Sequence, residues 1–164
     1  WLDEPIPDER MEEINRVPPK STISKCLPWV LPALVVSVFA YGFMNSDPST
    51  VRAAALAWVF ANGALSSLGA LAALGHPLTI LTGFVAAPIT SLNPTIGAGM
   101  ATALVQSLVA PPTVADFESL GDDLSELVGW WQNRLGRVAL VFLFSSIGST
   151  VGTFVAFGWL KNLL

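Results

Sequence analysis

The sequence predicts an all-α, polytopic membrane domain, folded as a helix bundle with a broken-helix hairpin and a peripheral amphipathic helix. Hydrophobic residues make up 52% of the 164 residues and charged residues only 12%, about half of the roughly 25% found in soluble domains. The charged side chains lie in residues 1–25, 47–52 and 116–137 and at Lys161, and the apolar stretches between them carry none. This segregation is typical of chains whose apolar stretches lie in a lipid bilayer.

The three longest apolar stretches predict membrane-spanning helices. Residues 27–44 carry no charge and would form a helix about 27 Å long, close to a hydrocarbon thickness of about 30 Å. Residues 51–74 are rich in Ala, Gly and Ser, the small residues that let helix backbones approach closely in lipid. Residues 138–160 are uncharged and long enough to span with some tilt.

Residues 78–110 are apolar but interrupted, and they predict a hairpin of two shorter helical segments. Gly83, Pro88, Asn93-Pro94 and Gly97 break the stretch. Its two parts, 78–92 and 94–110, would be about 22 and 26 Å long as helices, which is short for complete spans. Two tilted crossings and one re-entrant hairpin both fit, since broken backbone at membrane depth is tolerated where protein or a water cavity shields it.

Residues 111–137 predict an amphipathic region at the membrane surface. Thr113 and Asp116 have the spacing of a capping box. A helix over 122–136 would place its Leu, Val and Trp side chains on one face. Trp130 and Trp131 would then lie at headgroup depth as interface anchors.

The chain divides into a polar linker at 1–26 and a transmembrane domain at 27–164. Since it begins with Trp1 and its first residues are polar and proline-rich, we expect the linker to lead from an N-terminal soluble domain missing from this chain. Six of the eight Lys and Arg residues flank one side of the predicted bundle, and only Arg52 and Lys161 flank the other. The positive-inside rule therefore predicts a cytoplasmic linker on a protein integral to the cell (plasma) membrane.

The chain resembles the TraB (TraB/PrgY) family over roughly residues 18–160. The most specific string is Ala87-Pro88-Ile89-Thr90-Ser91-Leu92-Asn93-Pro94-Thr95-Ile96-Gly97-Ala98-Gly99. Further matching strings are Gly75-His76-Pro77-Leu78-Thr79, Pro112-Thr113-Val114-Ala115-Asp116-Phe117, Asn133-Arg134 with Trp130, and Phe144-Ser145-Ser146-Ile147-Gly148-Ser149-Thr150-Val151-Gly152-Thr153.

This resemblance implies a soluble N-terminal domain followed by a membrane domain, of which this chain is the second. The soluble domain is similar to a superfamily with metal-dependent proteases, and its Gly/His motifs carry the chemistry proposed for it. The family is associated with shutting down peptide pheromone activity in some bacteria. No catalytic residue transfers to this chain, and whether the whole protein is an enzyme stays open.

The break in the hairpin supplies most of the binding or gating candidates, and His76, just before the hairpin, is a further one. Those in the break are Pro88, Thr90, Ser91, Asn93 and Pro94. Two half-helices that meet at a polar turn aim their dipoles inward, as in transporter substrate sites. The alternative is structural capping, with Asn93 as an N-cap and Pro94 at the first helical position. For His76, a helix-ending role at an interface competes with a proton-sensitive gate.

Other polar and small residues predict contacts between helices. Asn62, Gln106, Ser145 and Ser146 lie within the apolar stretches, where polar side chains hydrogen-bond across helices. Gly148 and Gly152 form a GxxxG pair that serves either internal packing or a homodimer. The acidic residues at 116–126 lack the spacing of a calcium loop, and one histidine does not make a metal site, so no metal, cofactor or catalytic residue is predicted here.

Three functions compete at this point. The first is a scaffold that anchors, and regulates or dimerises, the upstream soluble domain, with membrane lipid as its surroundings. The second is a channel or carrier for a peptide or small solute, with the turn at 88–94 as its constriction. The third is the membrane part of a metal-dependent protease. No basic stripe points to nucleic acid as a partner.

Overall fold

A computed structural model describes residues 21–93 and 95–163, with side chains as far as Lys161. Residues 1–20 of the predicted linker, and Pro94 of the predicted hairpin turn, lie outside the described residues. The described part of the chain is helical and contains no strand. Its elements are α1 (Thr22–Cys26), a 3₁₀ turn (Leu27–Trp29), α2 (Val30–Asn45), α3 (Pro48–Ala72), α4 (Pro77–Thr90), α5 (Ala98–Val109), α6 (Val114–Glu118), α7 (Leu120–Asp123), α8 (Gly129–Gln132) and α9 (Arg134–Leu163).

Three stretches are long and apolar enough to cross a membrane, which confirms the predicted all-α architecture. They are Thr22–Asn45, Pro48–Ala72 and Arg134–Lys161, with 24, 25 and 28 residues. The first contains the 3₁₀ turn, with Pro28 at the start of that turn. Proline has no amide hydrogen to donate to the helix, so the turn falls where the sequence places a proline.

The helices α3 and α9 pack antiparallel along a seam of small residues. A Cβ at Gly69 would meet the backbone of Phe144, one at Gly148 the backbone of Leu65, and one at Gly152 would lie 2.6 Å from the carbonyl oxygen of Ala61. Only glycine allows two helix backbones to approach this closely, because it has no Cβ. The seam therefore fixes the relative position of the two longest helices.

The hairpin of α4 and α5 enters this bundle from one end. The side-chain oxygen Oε1 of Gln106 accepts hydrogen bonds from the amide of His76 at 2.9 Å and the hydroxyl of Thr79 at 2.8 Å, so the start of α4 and the end of α5 lie side by side. With 14 and 12 residues, the two helices are only about 21 and 18 Å long.

The last turn of α4 lies against the middle of α3. The indole nitrogen of Trp58 donates to the carbonyl oxygen of Pro88 at 3.2 Å. Trp58 is ten residues into α3, which begins at Pro48, so Pro88 lies about 15 Å from that end of α3. The turn after α4 continues beyond this point, since Leu92 lines the same groove as Val51 and Ala55.

The helix α2 covers the tip end of the bundle from outside. Val35 packs with Trp58, Ala156 and Leu160 in an apolar cluster, and the rings of Phe39 and Trp58 meet edge to face with centroids 6.3 Å apart. The opposite face of α2 has exposed apolar side chains.

The segment between α5 and α9 differs from the prediction of one helix over 122–136. The structure has three short helices, and the chain turns sharply where Gly129 lies against the backbone of Asp123. The predicted capping box at Thr113 and Asp116 is confirmed. The segment is held by side chains far apart in sequence, because the side-chain amide of Asn133 donates to the carbonyl oxygen of Asp116 and to Oδ2 of Asp123, both at 2.8 Å.

Candidate functional site

A cleft of about 230 Å³, lined by both polar and apolar residues, lies at the tip of the hairpin, and we call it the tip cleft. Its walls come from the end of α4 and the turn after it, the start of α5, the middle of α9, and the 3₁₀ turn with the start of α2. The lining side chains and backbone belong to Pro28, Leu31, Pro32, Thr90, Ser91, Asn93, Gly97, Ala98, Ser146, Ser149, Thr150, Thr153 and Phe154.

The structure brings four of the predicted residues together in this cleft. Thr90, Ser91 and Asn93 come from the turn that the sequence singled out, and Ser146 comes from α9. Pro88 is buried beside them, where its carbonyl oxygen accepts from Trp58 and, at 3.1 Å, from the hydroxyl of Ser91.

The hydroxyl hydrogens of four residues in the tip cleft already have acceptors. Thr90 donates to the carbonyl oxygen of Ala86, Thr150 to that of Ser146, Ser91 to that of Pro88, and Thr153 to Asn62. Since a hydroxyl has one hydrogen and two lone pairs, these groups offer acceptors to the cleft.

Other groups in the tip cleft offer donors. No described residue accepts a hydrogen bond from the hydroxyls of Ser146 and Ser149 or from the amide nitrogen Nδ2 of Asn93, although Ser149 is only 7% exposed. The first amides of α5 add to them, because the initial N–H groups of a helix have no acceptor within it and the N-cap, Gly97, has no capping side chain.

Among the residues that the structure describes, none in the lining has an Asp, Glu, Lys, Arg or His side chain. These lining residues therefore include no base of the kind that activates a serine hydroxyl as a nucleophile. The arrangement is suited to binding a solute through hydrogen bonds. Elsewhere in the described part of the chain, no group of three His, Cys, Asp or Glu side chains is placed to hold a metal ion.

The predicted N-cap role of Asn93 is wrong. The helix α5 begins four residues beyond the predicted position, after Gly97. The side-chain oxygen Oδ1 of Asn93 accepts instead from the amide and hydroxyl of Thr95, at 2.9 and 2.6 Å. This local bond closes a turn and leaves the side-chain nitrogen of Asn93 unused.

His76 lies at the opposite end of α4 from the tip cleft. It is exposed, and its ring nitrogen Nδ1 accepts from the amide of Leu78 at 3.2 Å as the N-cap of α4. His76 thus lies at a helix end, as the N-cap of α4. Of the two roles that the sequence suggested, this position corresponds to the structural one.

Two of the four predicted interhelical polar residues make such contacts. Asn62 is fully buried, accepts from the Thr153 hydroxyl at 2.9 Å and so joins α3 to α9. Gln106 joins α5 to α4 through His76 and Thr79. Ser145 is buried with its hydroxyl unpaired among the described residues, and Ser146 lines the tip cleft instead.

The predicted packing and anchor residues also have defined neighbours. Gly148 and Gly152 face α3 within the same chain, so this pair is used in internal packing. Trp130 and Trp131 are half-buried and pack against the cluster containing Leu140. The indole nitrogen of Trp131 donates to the carbonyl oxygen of Ala72 at 2.9 Å, so this tryptophan also caps the end of α3.

The sequence interpretation missed three polar side chains of the tip cleft, which are Ser149, Thr150 and Thr153. With Ser146 they recur at three- and four-residue intervals along α9, the spacing that places side chains on one helix face. This polar stripe in an apolar helix was a usable signal.

Two carboxylates near the entry to α9 are electrostatically stabilised. Hydrogen bonds from the side chain and the amide of Thr113 hold the pKa of Asp116 below its ordinary value of 3.8, with Arg134 adding to the effect. Hydrogen bonds from Asn133 and Ser119 likewise lower the pKa of Asp123. Together Thr113, Asp116, Ser119, Asp123 and Asn133 form what we call the Asn133 network.

The fold and the tip cleft define a helical domain with three membrane-length helices and a broken hairpin between the second and third. The chain belongs to the TraB family, since residues 23–164 match the model described as TraB family protein, C-terminal domain.

A curated relative is the uncharacterized protein MJ1365 of Methanocaldococcus jannaschii. It is 30% identical over 154 residues, which cover 90% of this chain and 38% of that protein. The chain thus spans less than two fifths of the length of that relative. No solved structure matches the chain.

Proposed function

We propose that this chain is the membrane-embedded domain of a TraB-family protein and that it anchors a soluble N-terminal domain of the whole protein in the cell membrane. The observation that carries the proposal is the inverted distribution of polarity. Large apolar side chains such as Phe154 and Leu108 are about 70% exposed, whereas the most buried side chains include polar ones: Asn62, Ser66, Thr79, Thr102, Gln106 and Ser145.

Such a distribution is favourable when hydrocarbon surrounds the bundle. In water, exposed large apolar side chains are unfavourable and polar groups belong at the surface. In lipid, buried polar side chains instead join helices that pack through small residues, as Asn62 and the α3–α9 seam do here.

The test is extraction and orientation of the full chain in cells. The protein is expected to stay with the membrane fraction in alkaline carbonate and to need detergent for a monodisperse preparation; a monodisperse preparation without detergent or lipid would overturn the proposal. Cysteines placed at Ser46 and Ser125 test whether the linker is cytoplasmic. If it is, a reagent added outside intact cells should label the cysteine at position 46 and not the one at position 125.

A second candidate function is a pathway for a small solute through the hairpin. The tip cleft favours it, because the cleft reaches Asn93 and combines a broken helix with unpaired polar groups. Its volume of about 230 Å³ is below the roughly 300–1,000 Å³ of pockets for drug-sized ligands, which favours a small solute over a peptide. Swelling of proteoliposomes in glycerol tests the pathway, and swelling no faster than in protein-free liposomes would contradict it.

A further inference from the structure

We propose that the tip cleft is a binding site for a small neutral solute of the amide or polyol class, one that carries both an accepting oxygen and donor hydrogens. The inference deepens the solute pathway proposed above and rests on it only for how the solute reaches the cleft. Binding itself is measured without transport.

The unpaired hydroxyl of Ser149 is the first observation that points to a ligand. This side chain is 7% exposed and lines the tip cleft, and no described residue accepts its hydrogen. A hydroxyl that faces a cleft can donate its hydrogen to a molecule held there. Thr153, one turn further along α9, instead shares its one hydrogen between Asn62 and the carbonyl oxygen of Ser149. No described residue takes the hydrogen of Ser149, which is therefore free for a solute oxygen.

The open start of α5 is the second, independent observation. The N-cap position favours Ser, Thr, Asp, Asn and Gly, of which only the first four have a side chain that accepts from the first helix amides. Here it is Gly97, whose φ of −85° and ψ of 158° suit any residue, and a Cβ at this position would meet no atom within 4 Å. Neither backbone strain nor crowding requires this glycine, which leaves the first amides of α5 without a capping side chain beside the cleft.

Other residues of the tip cleft supply acceptors. The oxygens of Thr90, Ser91 and Thr150 keep lone pairs after donating to backbone carbonyl groups. A solute with an oxygen towards α5 and Ser149, and N–H or O–H groups towards these oxygens, would use both the donors and the acceptors of the cleft. Amides and polyols have this pattern of donors and acceptors.

The lack of charged side chains among the described lining residues favours a neutral solute over an ion. A charge transferred from water into a partly buried site needs an opposite charge or a complete set of hydrogen bonds to offset desolvation. The cleft holds roughly seven waters by volume, at about 30 Å³ each. A solute of a few heavy atoms fits this space.

The experiment is saturation-transfer NMR on the full chain in detergent micelles, with acetamide and glycerol as probes. Saturable transfer to both probes is expected. Ser149→Ala should weaken the apparent affinity about 2- to 10-fold, the effect of one lost neutral hydrogen bond. The matched control is Ser145→Ala on the same helix, which removes a buried unpaired hydroxyl outside the cleft and should leave the affinity unchanged.

A second variant separates binding from folding. In Gly97→Asp the new carboxylate accepts from the first amides of α5, so it should keep or raise the unfolding midpoint while it weakens acetamide binding tenfold or more. Loss of binding with retained stability supports the site. No saturable transfer to the wild type, or equal affinity in the wild type, Ser149→Ala and Gly97→Asp, would overturn it.

Two further measurements fix the ligand class and the link to transport. If the wild-type protein broadens the chloride-35 resonance and Gly97→Asp abolishes that broadening, the cleft is an anion site and the neutral-solute proposal is overturned. If acetamide binds but proteoliposomes do not swell in glycerol, the binding site in the tip cleft is supported and the proposed solute pathway is refuted.

Discussion

The seam between α3 and α9 lets us predict that replacing Gly by Ala has opposite effects on the free energy of unfolding at two positions of α9. In Gly152→Ala the added Cβ would lie 2.6 Å from the carbonyl oxygen of Ala61 and 2.7 Å from Cα of Asn62. Both atoms belong to backbone and cannot rotate away. Because ordinary contacts are about 3.5 Å or longer, α3 and α9 must separate by about 1 Å.

The cost of Gly152→Ala has two parts. Overpacking a well-packed interior costs about 1–3 kcal/mol. The hydrogen bond between Thr153 and Asn62, 2.9 Å long and next to the substituted position, would stretch by a similar amount and lose about 0.5–1.5 kcal/mol. We therefore expect the free energy of unfolding to fall by about 1.5–4.5 kcal/mol, less up to about 1 kcal/mol for the higher helix propensity of Ala.

The matched control is Gly158→Ala, also in α9. A Cβ at Gly158 would meet no atom within 4 Å, so only helix propensity changes, and Ala is favoured there by up to about 1 kcal/mol. Titration of the folded protein in mixed micelles with SDS, followed by circular dichroism, measures both variants. Equal midpoints for Gly152→Ala and Gly158→Ala would refute the close packing of this seam.

Three further predictions concern polar contacts. Asn133→Ala should lower the free energy of unfolding by about 2–3 kcal/mol in the same titration, because its side chain caps α9 through the amides of residues 135 and 136 and also binds Asp116 and Asp123. Gln106→Leu should cost about 2–4 kcal/mol, because it leaves the amide of His76 and the buried hydroxyl of Thr79 without their acceptor. Since the pKa values of Asp116 and Asp123 are lowered, their stabilisation is complete above the ordinary value of 3.8 and is lost as pH falls through the lowered values. Hydrogen exchange of residues 111–133 should detect this loss as lower protection factors, measured against the intrinsic exchange rate at each pH.

Controls for these predictions come from the same contacts. The double change Gln106→Leu with Thr79→Val removes a donor together with its acceptor and should cost less than the sum of the two single changes; an additive result would contradict the contact. Asp116→Asn should flatten the acid dependence of exchange over 111–133. Unchanged pH dependence in that variant would show that Asp116 is not one of the responsible groups.

The helices could be predicted from the sequence because hydropathy and helix-breaking residues act locally. The stretches 27–44 and 138–160 lie within the observed long helices, and 51–74 extends only two residues beyond the end of Pro48–Ala72. The hairpin was predictable because Pro88 and the glycines around residue 97 divide an apolar stretch. The capping box at Thr113 was predictable for the same reason, since both partners lie within one helical turn.

The start of α5 shows where a local rule fails. Asn93 before Pro94 has the pattern of a helix start, yet the side-chain oxygen of Asn93 is used by Thr95. Two local hydrogen-bonding patterns competed for one oxygen, and the turn was favoured over the helix. The position of Gly97, which faces the tip cleft, could not be read from its neighbours in sequence.

The Asn133 network shows a second limit. Asn133 bonds to residues 17 and 10 positions away, Asp116 and Asp123. These hydrogen bonds replace the regular helix that periodicity predicted over 122–136. Periodicity reports which faces are apolar, but it does not report side-chain oxygens that compete with helix amides. Ser149 was missed because its place in the tip cleft depends on the start of α5, which is distant from it in sequence.

The bond between Asn62 and Thr153 joins residues 91 positions apart, which has a consequence for biosynthesis. At about 5–20 residues per second, the ribosome adds Thr153 about 5–18 s after Asn62. For that interval the amide of Asn62 has no Thr153 to pair with, and the glycines of α9 are not yet present to meet α3. A nascent chain released or cleaved within this window would hold α3 without its partner, so quality control during translation has a defined interval in which to recognise it.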